Sequence, residues 1–192
     1  MAISAARSWF SAITRARELL TESEQLIREL GKEVSLAGLT NMLGVIELVE
    51  GRLDEAELRF RESLRISERI VYREGASTAL LNLGVVLLRS ERLQEAASCF
   101  EKSLRLAEEL QATRTTAYDL QGLAAVAAQQ GNASEAGRLL GVADSIREEG
   151  GVELEPFFIE LERETRAAVR SALGAEAASK AFASGSAARA GV

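Results

Sequence analysis

The feature that most constrains this chain is a forty-residue period. Residues 50–60 read EGRLDEAELRF, 90–100 read SERLQEAASCF, 130–140 read QGNASEAGRLL, and one step back residues 10–20 read FSAITRARELL. Stacked without a gap, the segments give columns of Ile13, Leu53, Leu93 and Ala133; of Ala16, Ala56, Ala96 and Ala136; and of Leu20, Phe60, Phe100 and Leu140. An upstream column holds Ser4, Gly44, Gly84 and Ala124. Apolar residues return at helical spacing, and small ones recur where two helices must approach closely. Turn formers fall between the halves of a unit, at Gly51, around Glu91 and at Gly131. Each unit therefore reads as helix, short turn, helix, and stacking covers the apolar face that a single pair leaves open.

This pattern predicts helices near 2–10, 12–30, 33–50, 53–73, 75–90, 93–111, 113–130 and 133–149. The fold class expected is all-α, a right-handed superhelical α-solenoid with about 40 residues per repeat and units at 1–31, 32–73, 74–111 and 112–150. Gly150 and Gly151 break the array at its end (1–151), and Pro156 starts an amphipathic helix suited to closing it (capping region 152–183). The small, polar residues 184–192 read as a flexible tail.

The columns resemble the tetratricopeptide repeat, in which leucine and a small residue mark the first helix and small, aromatic, small mark the second. Leu43-Gly44, Ala56, Phe60 and Ser63 carry the pattern in one unit, and Leu83-Gly84, Ala96, Phe100 and Ser103 in the next. Leu123-Ala124, Ala136, Leu140 and Ala143 form a weaker fourth unit. The period is longer than the 34 residues of the common form. The end of the chain resembles the closing segment of LuxR-type bacterial regulators and related signalling ATPases, through Ala136, Arg138, Leu139, Leu140, Gly141, Ala143, Arg147, Leu154, Pro156, Leu173-Gly174 and Gly185. Ala178 and Phe182 stand where those proteins commonly carry an aromatic pair, and their acidic end is missing. The first resemblance implies a protein-binding module, and the second a bacterial signal-transduction or transcriptional context.

Composition narrows the chemistry. The 192 residues contain no histidine, which removes the commonest general base and metal ligand. The single cysteine, Cys99, excludes an internal disulfide and fits a reducing compartment. Its column, with Leu19, Arg59 and Leu139, places it at a helix edge as a spare thiol. No Gly-Lys-Ser or Gly-Lys-Thr occurs, since Gly31-Lys32 is followed by Glu33. Glu55 with Arg59, Glu57 with Arg61 and Glu101 with Arg105 read as weak ion pairs on a solvated face, about 0.3–0.5 kcal/mol each. Asn132 lies in a sequon and reads as a turn residue. No catalytic residue, metal site or cofactor is expected, and the chain is read as not an enzyme. A net charge of −6 without a basic cluster argues against nucleic acid, and no apolar run reaches membrane-span length. The opening residues, free of acids before Glu18, have transit-peptide composition, yet Ile13, Ala16 and Leu20 fit the repeat. A cytoplasmic location is expected.

In this repeat family the first helices line the concave side. The resemblance therefore assigns a partner-binding groove to Asn41, Val45, Leu48 and Val49, to Leu81, Val85, Leu88 and Arg89, and to Tyr118, Gln121, Ala125 and Gln129. Val45, Val49, Leu81, Val85 and Leu88 would form a solvent-facing apolar stripe for an amphipathic helix or extended peptide, with Asn41, Arg89 and Gln121 fixing register. Alternatively the groove is tight, and these residues pack against one another or against a neighbouring domain. Two functions compete, a non-catalytic protein-interaction module and a small-molecule effector sensor. The truncated first unit, with Trp9, Phe10 and Ile13, suggests a homodimer through the N-terminal end.

Overall fold

The computed structural model describes residues 2–190, with the side chains of residues 13–187. Nine helices follow one another among the described residues: α1 (Ala2–Glu29), α2 (Glu33–Val49), α3 (Leu53–Arg69), α4 (Arg73–Arg89), α5 (Leu93–Glu109), α6 (Thr113–Gln129), α7 (Ala133–Gly150), α8 (Pro156–Leu173) and α9 (Ala175–Ala190). No strand occurs among these residues. Helices α2 to α7 run in consecutive pairs, the architecture expected of an α-solenoid repeat. The chain divides into two compact units, Met1–Val86 and Leu87–Val192.

Three-residue turns keep the period. Each turn contains a residue with positive φ: Gly51 and Gly131 within units, and Glu91 (φ 59°) in the same column. Glycine reaches this region freely, whereas Glu91, Gln111 and Val71 are held there by the C-terminal bonds of the preceding helix. The Tyr72 N–H, for example, donates to the Ser67 carbonyl at 2.8 Å.

In the first unit the small column lets α2 and α3 close on each other. Phe60 is fully buried against Gly44, where a Cβ would stand 2.6 Å from the ring. The Ser63 hydroxyl donates to the Ala37 carbonyl at 2.8 Å, so the second small residue is a buried anchor. Leu36, Ala37 and Ile66 form the core beneath, with Ile27, Ile70 and Tyr72 packed on it. Glu24 of α1 is buried but paired: Arg59 donates at 2.9 and 3.1 Å, and Arg28 at 3.1 Å. Arg59 thus serves α1 in place of the expected Glu55, while Arg61 pairs with Glu57 as expected.

In the second unit Phe100 is buried against Gly122, and Ala117, Leu120, Ala143 and Ile146 form a core between α6 and α7. Another cluster, of Ala127, Ala136, Val169 and Ala178, ties α8 and α9 to that pair. Asn132 caps α7 by accepting the Glu135 N–H at 3.4 Å, which fits a turn residue.

Two expectations change at the ends. The helices expected at 2–10 and 12–30 are one helix, α1, because no turn forms around residue 11. Residues 184–190 belong to α9 rather than to a tail, since Gly185 and Ser186 are held against α7, where the Ser186 hydroxyl donates to the Gly141 carbonyl at 3.1 Å. The side chains of Trp9 and Phe10 lie outside the described residues.

Candidate interaction surface

The residues assigned to a groove have different fates in the two units. In the first, Asn41 is half-buried and accepts a hydrogen bond from Asn82 Nδ2 at 3.1 Å. Val45 and Val49 are 38% and 54% exposed, Leu48 is half-buried, and exposed Val34 and Met42 extend the same helix surface. Leu81 and Val85 of α4 are buried, Val85 to 1% exposure. A solvent-facing Val85 is therefore not what the structure holds.

In the second unit α8 lies on α6 and takes up the place a partner was expected to fill. Tyr118 stacks on Phe158, with ring centroids 3.8 Å apart and planes 11° from parallel. Its hydroxyl donates to the Glu153 carbonyl at 3.3 Å and accepts the Glu155 N–H at 3.2 Å, which pins the segment leading into α8. Burial pushes the Tyr118 hydroxyl above its ordinary range. Gln121 Nε2 donates to Glu162 at 2.9 Å, and Glu162 also accepts from Arg166 at 2.6 Å. Asp144 of α7 accepts from Arg147 and Arg166, which completes a network around one end of the contact.

Tyr118, Gln121 and Ala125 are accordingly buried, and Leu88 is buried as well. Arg89 remains exposed, lying 5.2 Å above the Phe157 ring and 3.8 Å from Glu164. Gln129 is also exposed and borders, with Ala125, a cleft of about 210 Å³ against Leu161, Thr165 and Ala168. Repeat counting could not show this because α8 falls out of the forty-residue register after Gly150. The signal present in the sequence was Phe157-Phe158 directly behind Pro156: proline opens α8 at its first turn and sets the aromatic pair beside α6. A second missed signal is Ala178, Phe182 and Gly185, which repeats the small, aromatic, small spacing of Ala96, Phe100 and Ser103 and marks α9 as another second helix.

Asp119 is a strongly shifted acid. It is fully buried, and burial pushes its carboxyl up to about 9, with the Ser103 hydroxyl acting weakly in the other direction. Both of its carboxyl oxygens are buried. No group of His, Cys, Asp or Glu among the described residues could hold a metal ion.

The tetratricopeptide repeat family matches residues 35–109 and 75–143, which together span more than half of the chain. The chain belongs to the tetratricopeptide repeat family. A search of curated proteins finds no match. Tetratricopeptide repeats generally mediate protein–protein interaction and are typically non-catalytic scaffolds. No helix among the described residues is long and apolar enough to cross a membrane.

Proposed function

We propose that this chain is a non-catalytic interaction module that binds a protein or peptide partner on the exposed face of α2. The observation that supports this most is the pair Val45 and Val49, apolar, exposed and placed on a first helix of the repeat. Asn41, half-buried on the same helix, supplies a polar contact. An amphipathic helix or extended segment fits such a surface, because burial of valine side chains supplies affinity at about 25 cal/mol per Å² while the Asn41 amide supplies direction. The buried residues Leu81 and Val85 then act as floor rather than as contact.

The resemblance of the closing segment supports a setting in, or close to, a bacterial signal-transduction or transcriptional regulator in the cytoplasm. There the module holds partners without touching nucleic acid or membrane. Self-association through the N-terminal end belongs to the same reading. A peptide library displayed on phage and selected on the native chain tests the surface. Selected peptides should lose binding at least tenfold to Val49→Glu at unchanged melting temperature. Peptides that bind the variant equally well overturn the assignment.

One observation favours the effector-sensing alternative, an open cleft of about 740 Å³ lined by Thr113, Thr116, Leu120, Val142 and Ile146. A metabolite that raises the melting temperature by several degrees, with the effect lost in Val142→Arg, would select that reading.

A further inference from the structure

Helix α1 has 28 residues where α2 to α6 each have 17. By the repeat count its last part, from Ile13, is the second helix of a unit, and residues 2–9 are the end of that unit's first helix. Ile3 and Ser4 stand in the columns of Leu43-Gly44 and Leu83-Gly84. In the later units the chain turns back between the two helices, at Gly51, Glu91 and Gly131. In α1 it runs straight through the equivalent Ser11.

The consequence is an unfilled seat. Helix α3 holds α2 through Phe60, Ser63 and Ile66, which map forty residues back onto Leu20, Ser23 and Leu26 of α1. Phe60, Ser63 and Ile66 are at most 1% exposed, whereas Leu20 and Ser23 are half-buried and Leu26 is 60% exposed. Leu30, one turn further on the same face, is exposed as well. Gly44 pairs with Phe60, so residue 4 should pair with residue 20. In a straight helix those two positions stand roughly 24 Å apart, at 1.5 Å per residue, so the arm cannot reach its own seat.

We infer that the arm of a second copy fills the part of the seat around Leu20, so that two chains exchange residues 2–9 and each arm covers part of the other's open face. The inference deepens the self-association reading by naming its mode. Opening a hairpin into one straight helix is a low-cost route to a dimer, because the exchanged contacts are those the closed unit would have made. The pairing that joins 4 to 20 places the two α1 helices antiparallel about a two-fold axis near residue 12, where each arm lies along residues 15–22 of its partner. Leu26 and Leu30 lie past the arm's reach and belong to the remainder of the same open face.

The test uses the whole chain with Ser4→Cys and Leu20→Cys in a Cys99→Ser background, treated with a short bismaleimide cross-linker. Exchange predicts a covalent dimer on denaturing gels. Intramolecular cross-linking, seen by mass spectrometry as a bridged monomer, would mean that the arm folds back, and overturns the exchange. A dimer by light scattering without cross-linking also overturns it, while leaving self-association through another surface. A monomer at high micromolar concentration overturns both. A second variant keeps Leu20: Gly-Gly-Ser inserted after Ser11 lengthens the hinge and lets the arm close in its own chain. Its dimer dissociation constant should rise at least tenfold, and an unchanged constant counts against the exchange.

Discussion

Gly141 of α7 and Gly185 of α9 face each other across a crossing with no room for a side chain. A Cβ on Gly141 would lie 1.9 Å from the Phe182 carbonyl oxygen, and one on Gly185 would lie 1.9 Å from that of Arg138. Gly137 continues the contact against Ala181. The obstacles at Gly141 and Gly185 are backbone, so they cannot swing aside as a flexible side chain would. Gly141→Ala should force the helices apart and cost about 3 kcal/mol, read as a lower denaturant midpoint. Gly38→Ala is the control: it is a helical glycine in α2 with nothing within 4 Å of the added methyl. It should stabilise by about 0.5–1 kcal/mol, through helix propensity alone.

Val71 has the opposite problem. It is 77% exposed and holds φ at 58°, a conformation in which a β-branched side chain crowds its own backbone. The columns of this turn place glycine there in the first and last units, at Gly31 and Gly151. Val71→Gly should stabilise the chain by about 1 kcal/mol, less the added freedom of the unfolded chain, and raise the melting temperature by roughly 2–4 °C. A lowered melting temperature would mean that the Val71 side chain makes contacts worth more than the strain.

Asp119 makes stability depend on pH. Its folded-state carboxyl titrates at about 9 against an ordinary 3.8, so the folded chain keeps a proton that the unfolded chain releases. Stability from this group is complete below about pH 4, falls as the pH rises, and levels off above about 9. The slope is at most about 1.4 kcal/mol per pH unit. Asp119→Asn keeps the shape and cannot ionise. Melting curves from pH 5 to 9 should show the variant gaining on the native chain as the pH rises, and a constant difference would mean that Asp119 ionises freely in the folded state.

The repeat was legible because its constraints are local and periodic. Ala56, Ala96 and Ala136 are all at 0% exposure, as are Phe60, Phe100 and Leu140. An alanine that must admit a neighbouring helix leaves a mark in every unit. The site was less legible because its decisive contacts occur once. The stack of Tyr118 on Phe158 and the bond from Gln121 to Glu162 join segments about forty residues apart. Gly38 and Asn41, in the same columns as Tyr118 and Gln121, have nothing in sequence to announce such a helix. The straight run through residue 11 was hidden for a related reason. Ser11 lacks the glycine of Gly51 and Gly131, yet Glu91 turns without one, so a missing glycine does not by itself distinguish a turn from a continuous helix.

Val85 and Val49 decide where the proposed binding surface ends. Both stand in first helices, at positions the resemblance assigns to the groove, where the forty-residue register sets Val85 with Val45 and Val49 with Arg89. Val85 is 1% exposed, so Val85→Glu would place a carboxylate among apolar side chains. It would have to ionise at high cost or keep its proton far above the usual range. A loss of about 3 kcal/mol or more follows, with a lower melting temperature and less helix at 37 °C. Val49 is 54% exposed, and Val49→Glu leaves its carboxylate in water, so stability should stay within about 0.5 kcal/mol of the native chain. Circular dichroism melts of the two variants side by side check the division. Equal melting temperatures would show that Val85 reaches water and that the groove extends from α2 onto α4, whereas a melt lowered only for Val85→Glu confines the surface to α2.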